Sequence, residues 1–160
     1  MQAGVSTLFR GVNALSLDAK GRMAMPARYR ERVMERAGGN LVITVDPDDK
    51  CLWIYPLPEW EAIQAKLDAL PAFNNNAKIL RRLLMGHATD TEMDATGRIL
   101  LPPELRKHAG LEHKVVLVGQ GKKFELWDEE LWTTRRDQWL AEGVLGKDQA
   151  LSAELQNLVL

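Results

Sequence analysis

The chain has 160 residues, 46% of them hydrophobic and 27% charged, with a formal net charge of −1; this is the balance of a globular protein and excludes a disordered one. Its apolar runs, such as Val115 to Val118, are too short for a membrane span, and the N-terminal residues lack the basic start and apolar core of a secretory signal, so a soluble, cytoplasmic protein is expected. The single cysteine, Cys51, excludes an internal disulfide and a multi-cysteine metal site, and beside Leu52 and Trp53 it reads as a small core residue.

Charge is spread unevenly. Met1 to Gly39 carries seven Lys or Arg against three Asp or Glu, whereas Phe124 to Leu160 carries three against eight. A basic surface can hold phosphates even when the whole chain is near neutral.

In chain order, Val12 to Leu17 alternates as a strand does. Asp18-Ala19-Lys20-Gly21 is a turn, with Gly21 free to take positive φ and Asp18 able to bond backbone groups a few residues on. Arg22 to Met25 resumes an extended run, which together with the first predicts a β-hairpin tipped by Lys20. Pro26 then opens a helix over Ala27 to Ala37, with Tyr29, Val33 and Met34 as its inner face and Gly38-Gly39 as its stop. Leu41 to Val45 and Cys51 to Tyr55 are strands around an Asp-rich turn. Pro56-Leu57-Pro58 starts a helix with Trp60, Ile63, Leu67 and Leu70 on one face, closed by Pro71. A second helix, about Ala77 to Met85, ends at Gly86.

The pattern then recurs. Asp94-Ala95-Thr96-Gly97-Arg98 repeats Asp18-Ala19-Lys20-Gly21-Arg22 at a constant spacing of 76 residues, which also carries Pro26 onto Pro102. Thr89 to Met93 and Ile99 to Leu101 are the hairpin strands. Pro102-Pro103 opens a short helix stopped by Gly110. Val115 to Val118 and Phe124 to Trp127 pair around the turn Gly119 to Lys123. A helix from Asp128 places Trp132 and Trp139 on one face, and a last amphipathic stretch carries Leu151, Leu155 and Leu158. The fold class expected is α+β: two tandem β-β-α-β-β modules. Each module, at about 45 residues, is too small to be stable alone, so the two should interlock around one shared core.

The residues give little support to an enzyme. The Gly119 to Lys123 turn lacks the glycine and Ser/Thr positions of a P-loop. His87, His108 and His113 are scattered, without metal-ligand spacing. No Gly-x-Ser-x-Gly elbow occurs. No cofactor, catalytic residue or metal ligand is assigned. The turns are better candidates. Asp18 with Arg22, and Asp94 with Arg98, can form ion pairs across them. Lys20 and Arg22 project beside the small Gly21, so their long side chains could reach phosphates or base edges, with Arg28 one helical turn on. The second copy has Thr96 where the first has Lys20, and Glu104 where the first has Arg28, so the first tip should dominate. The expected DNA-binding residues are thus Lys20 and Arg22, with Arg10, Arg28 and Arg98 as further contacts or structural partners; Asp18, Gly21, Asp94 and Gly97 shape the turns. A non-catalytic protein-interaction scaffold using the acidic C-terminal half is the alternative.

The segments Phe9-Arg10-Gly11, Asp18-Ala19-Lys20-Gly21-Arg22, Met25-Pro26-Ala27-Arg28-Tyr29-Arg30, Tyr55-Pro56-Leu57-Pro58-Glu59-Trp60-Glu61, Leu84-Met85-Gly86-His87-Ala88, Asp94-Ala95-Thr96-Gly97-Arg98 and Phe124-Glu125-Leu126-Trp127-Asp128 resemble, in order and spacing, the MraZ family of bacterial transcriptional regulators. The resemblance covers roughly Leu8 to Leu131. It implies two AbrB-like swapped-hairpin domains, at 12–59 and 88–131, a helical connector at 60–86 and C-terminal helices at 132–160. It also implies a closed ring of several chains, bound to short direct repeats in promoter DNA at the nucleoid. Such a protein usually represses the division and cell-wall gene cluster, its own operon included. The family's Asp-x-x-x-Arg signature falls on Asp18 with Arg22 and on Asp94 with Arg98, and its basic DNA-facing turn on Lys20 and Arg22.

Overall fold

A computed structural model describes residues 8–143 of the chain. The first copy of the repeat comprises β1 (Phe9–Ser16), β2 (Arg22–Ala24), α1 (Ala27–Ala37), β3 (Asn40–Val45) and β4 (Leu52–Pro56). Two helices follow, α2 (Leu57–Asp68) and α3 (Asn75–His87). The second copy comprises β5 (Thr89–Glu92), β6 (Arg98–Leu100), α4 (Pro103–Ala109), β7 (Lys114–Gly121) and β8 (Phe124–Asp128), and α5 (Glu129–Glu142) comes last. The class is α+β, with every strand pair antiparallel.

The copies exchange strands. One sheet runs in the order β1-β7-β8-β4-β3-β5, and β2 with β6 forms a separate two-stranded ribbon. The expected hairpin of β1 with β2 is therefore not formed: β1 pairs with β7, β5 with β3, and β2 with β6. Length explains the choice. All of β1, from Phe9 opposite Gly121 to Ser16 opposite Lys114, finds a rung on β7. The three residues of β2 could satisfy only a small part of it. Backbone hydrogen bonds left unmade in a partly buried strand are costly, so the longer ladder wins.

The shared core forms between the copies. Tyr29 and Val33 of α1, Leu105 and Ala109 of α4, Met23 and Ile99 of the ribbon, and Phe9, Leu117 and Phe124 of the sheet all belong to one buried cluster. Strand β3 is apolar at every position from Leu41 to Val45 but Thr44 because it is covered on both sides, and the buried Thr44 hydroxyl donates to the Leu84 carbonyl at 2.7 Å. Its Leu41, Ile43 and Val45 enter that core, whereas Val42 packs on the opposite face with Tyr55, Trp60, Leu67 and Leu84. Thus α2 and α3 are a packed layer on the sheet. Helix α1 follows Pro26 and is closed by Gly38, whose left-handed φ of 62° lets its N–H reach the Met34 carbonyl at 2.8 Å.

Several boundaries differ from expectation. Met34 is 52% exposed and does not share the inner face with Tyr29 and Val33; one residue past Val33 turns it about 100° around the helix. Helix α2 ends at Asp68, before Pro71, and α3 continues through Gly86 to His87. An exposed glycine costs a helix only about 1 kcal/mol, which the surrounding Leu83 and Leu84 contacts can carry. Strand β7 runs on to Gly121, which shortens the turn after it to Lys122 and Lys123.

The chain divides into two compact units after Glu129. In the second, the Trp132 and Trp139 rings meet edge-on with centroids 6.1 Å apart, as their spacing of seven predicts. The stretch with Leu151, Leu155 and Leu158 lies outside the described residues. No described helix is long and apolar enough to cross a membrane.

Candidate nucleic-acid interface

The two repeated turns fold alike because the same residues make the same bonds. Asp18 Oδ1 accepts the N–H groups of Lys20 and Arg22 at 2.9 and 2.8 Å, and its carbonyl accepts from Gly21 at 3.0 Å. Asp94 Oδ1 accepts from Thr96 and Arg98, both at 2.9 Å, and also from the Thr96 hydroxyl at 2.8 Å. Gly21 and Gly97 take φ of 80° and 81°, which side chains disfavour. Each aspartate also holds its arginine: Arg22 Nε donates to Asp18 Oδ2 at 2.7 Å and Arg98 Nε to Asp94 Oδ2 at 3.2 Å. The backbone N–H of Arg22 leads in holding the Asp18 carboxyl below its ordinary range, and that of Arg98 does the same for Asp94.

The exchange of strands puts both turns on one platform. Met25 N–H bonds the Gly97 carbonyl at 2.9 Å, and Leu101 N–H bonds the Gly21 carbonyl at 3.0 Å. In the ribbon between them, Met23 and Ile99 face the core, which leaves Arg22, Ala24, Arg98 and Leu100 on the outward face. Arg22 lies opposite Leu100 and Ala24 opposite Arg98, so the two arginines are diagonal neighbours, about 7–8 Å apart by the usual ladder spacing. Their side chains keep 29% and 39% exposure, and Lys20 is exposed at the turn.

The expected residues therefore separate into two groups. Lys20, Arg22 and Arg98 are brought together around the ribbon. Arg10 and Arg28 are not. Arg10 sits on β1 opposite Gln120, and its carbonyl accepts the Tyr29 hydroxyl at 2.6 Å. Arg28 donates to Asn13 Oδ1 and lies over the Tyr29 ring, 4.9 Å from its centroid, so it ties α1 to β1.

Two further arginines belong to the platform and were not singled out from the sequence as site residues. Arg30 Nε donates to the Met25 carbonyl at 2.7 Å, and its side chain lies across Gly97. Arg106 Nε donates to the Leu101 carbonyl at 3.1 Å, and its guanidinium lies across Gly21. Each copy thus clamps the other copy's turn. The signal was available, since Arg30 and Arg106 obey the same spacing of 76 as the turns.

A buried polar cluster lies elsewhere. Ligand-type atoms of Asp46, Cys51 and Glu125 come within 4.8 Å of one another. Asp46 Oδ1 accepts the Asp48 and Asp49 N–H groups at 2.8 and 2.9 Å, and Oδ2 accepts Trp53 Nε1 at 2.9 Å and the Cys51 thiol at 3.5 Å. Glu125 accepts Trp127 Nε1 at 3.0 Å. Burial pushes the Cys51 thiol well up, with the Glu125 and Asp46 charges adding to it, so this cysteine stays protonated. Internal donors thus already occupy both Asp46 oxygens and Glu125 Oε1, as in a structural network.

A family model described as "MraZ protein, putative antitoxin-like" matches residues 8–83 and again 84–151. The chain belongs to the MraZ family. The two MraZ matches begin 76 residues apart (84 − 8), the spacing of the turns. A protein of Halorhodospira halophila named transcriptional regulator MraZ is 55% identical over 153 residues, covering 96% of this chain and all of that protein. Proteins of the same name from Coxiella burnetii and Pseudomonas aeruginosa are 52% and 49% identical over the same shares.

Proposed function

We propose that the chain is a sequence-specific DNA-binding transcriptional regulator that works without catalysis. The observation that carries this reading is the β2–β6 ribbon, which gathers Arg22 and Arg98 on one outward face with Lys20 at its end. A major groove admits a two-stranded ribbon, and arginine pairs well with guanine edges there. The aspartates that grip Arg22 and Arg98 lower the cost of ordering those side chains before contact. The names of the MraZ relatives point the same way. In this reading Lys20 and Arg22 are the leading contacts, and Arg98 contributes from the second copy. Arg10 and Arg28 serve the scaffold.

One ribbon offers few contacts. Several ribbons on linked sites gain about a hundredfold or more through effective concentration. A ring of chains bound to short direct repeats supplies that gain, and repression of the chain's own division and cell-wall operon is the regulatory outcome proposed. Footprinting on the DNA upstream of its gene, with the mass of the complex measured in the same buffer, tests this. Protection of spaced repeats by an oligomer is the expected result. Uniform protection, or none, counts against it.

A further inference from the structure

The outward face of the ribbon is not purely basic. Leu100 is 52% exposed there, directly opposite Arg22, and Met23 and Ile99 beside it are fully buried. The Thr91 hydroxyl donates to the Leu100 carbonyl at 3.5 Å, which steadies the backbone beneath the side chain. A large apolar side chain between arginines gains nothing from phosphate. It gains from an apolar group at the bottom of a charged groove, and the thymine 5-methyl is the apolar mark that a major groove displays.

The repeat sharpens the point. The spacing of 76 that superposes Arg22 on Arg98 superposes Ala24 on Leu100 and Lys20 on Thr96. The ribbon is two-fold in backbone and in its arginines, yet one end carries Lys20, Arg22 and Leu100 and the other Thr96, Arg98 and Ala24. A two-fold reader suits a palindrome. Unequal ends suit a sequence with a direction.

Resting on the DNA-binding reading above, we infer that Leu100 is a specificity-determining contact: it meets a thymine methyl beside the base pair read by Arg22 and sets the direction in which the ribbon lies on DNA. Arg22 reads charge and hydrogen-bond pattern, and Leu100 adds a contact that only a methylated pyrimidine edge supplies.

The test uses the full-length chain and a duplex that it recovers from a random pool. Each thymine is replaced in turn by uracil, which removes the methyl and keeps the base pairing. Wild type should lose about fourfold in affinity at one position of each bound element, the factor that matches one methyl-sized group withdrawn from apolar contact. Leu100→Ala should show no loss at that position, while Leu100→Met should keep it. The residue is exposed, and an unchanged melting temperature will show that the variants fold. Equal uracil profiles for wild type and Leu100→Ala overturn the inference while leaving DNA binding standing. Failure of wild type to recover any duplex overturns both.

Discussion

Arg106 lies across Gly21, so that a Cβ added to the glycine would stand 2.6 Å from the arginine Nε. The contact joins the second copy's helix to the first copy's turn, and Arg30 makes the mirror contact on Gly97. Gly21→Ala should therefore suffer twice, from its φ of 80° and from the crowded guanidinium. A destabilisation of about 1–3 kcal/mol by urea unfolding is expected. Arg106→Ala in the same chain should relieve only the crowding, so the double variant should recover part of the loss and not all of it.

Arg22→Ala should abolish specific binding to a repeat-containing duplex while the melting temperature and the oligomer stay as in wild type. The side chain bonds Asp18 and lies on the outward face of the ribbon, outside the core. Asp18→Ala removes the acceptor for two backbone N–H groups as well as for Arg22. Its DNA affinity should fall at least tenfold by fluorescence anisotropy, about the factor that one lost charge-assisted hydrogen bond corresponds to. Normal binding by Arg22→Ala would remove the turn as the reader.

The unequal turns should show in salt dependence. Each phosphate neutralised contributes about −0.9 to the slope of log affinity against log salt. Lys20→Ala should make that slope shallower by about one such unit per ribbon bound, and Thr96→Lys should steepen it by a similar amount. An unchanged slope in both variants would leave Lys20 without a phosphate partner.

Acid and base should act on different parts of the molecule. Burial raises the Glu125 carboxyl above its ordinary value, despite the bond from Trp127. A raised carboxyl contributes stability that is present below its unfolded pKa, about 4.3, and is lost as pH rises through the folded value. Glu125→Gln keeps an oxygen for Trp127 and carries no charge. Its melting temperature should exceed that of wild type at neutral pH, with the difference shrinking toward pH 4. The Asp18 and Asp94 carboxyls have the opposite sign, being lowered by backbone N–H groups. The turns should keep their shape as pH falls through the ordinary aspartate value and lose it only below, which carboxyl NMR titration will show.

The local pieces of this fold were legible, and their assembly was not. Asp18, Gly21 and Arg22 announce a turn because each residue type has a local job there, and α1 runs from Ala27 to Ala37 as its Pro and Gly borders require. Which strand β1 pairs with is decided by residues beyond position 114, and no local pattern encodes that. The tandem repeat and the small size of each copy pointed to interlocking without naming the partners. Arg28 drew notice as a cation one helical turn past the first tip, and Arg30 did not. The structure sets Arg28 on Asn13 of its own copy, and the crossing of the copies sets Arg30 on the far turn. Leu100 was legible as an apolar residue of a hairpin strand, with no local pattern to say which way it faces. Its exposure follows from β6 pairing with a strand as short as itself, which leaves one face of the ribbon bare.

The pairing of β1 with β7 also sets the timing of the chain's birth. Asn13 bonds the carbonyl of Leu117, a residue 104 positions later. A ribosome that has finished the first copy has released a long strand with no ladder to join, and must go on through β7 before that edge is closed. Contacts so distant in sequence slow folding and leave sheet edges open to wrong partners. Closure of the sheet therefore waits on β7, and a neighbouring nascent chain that already carries β7 could offer it to the open β1.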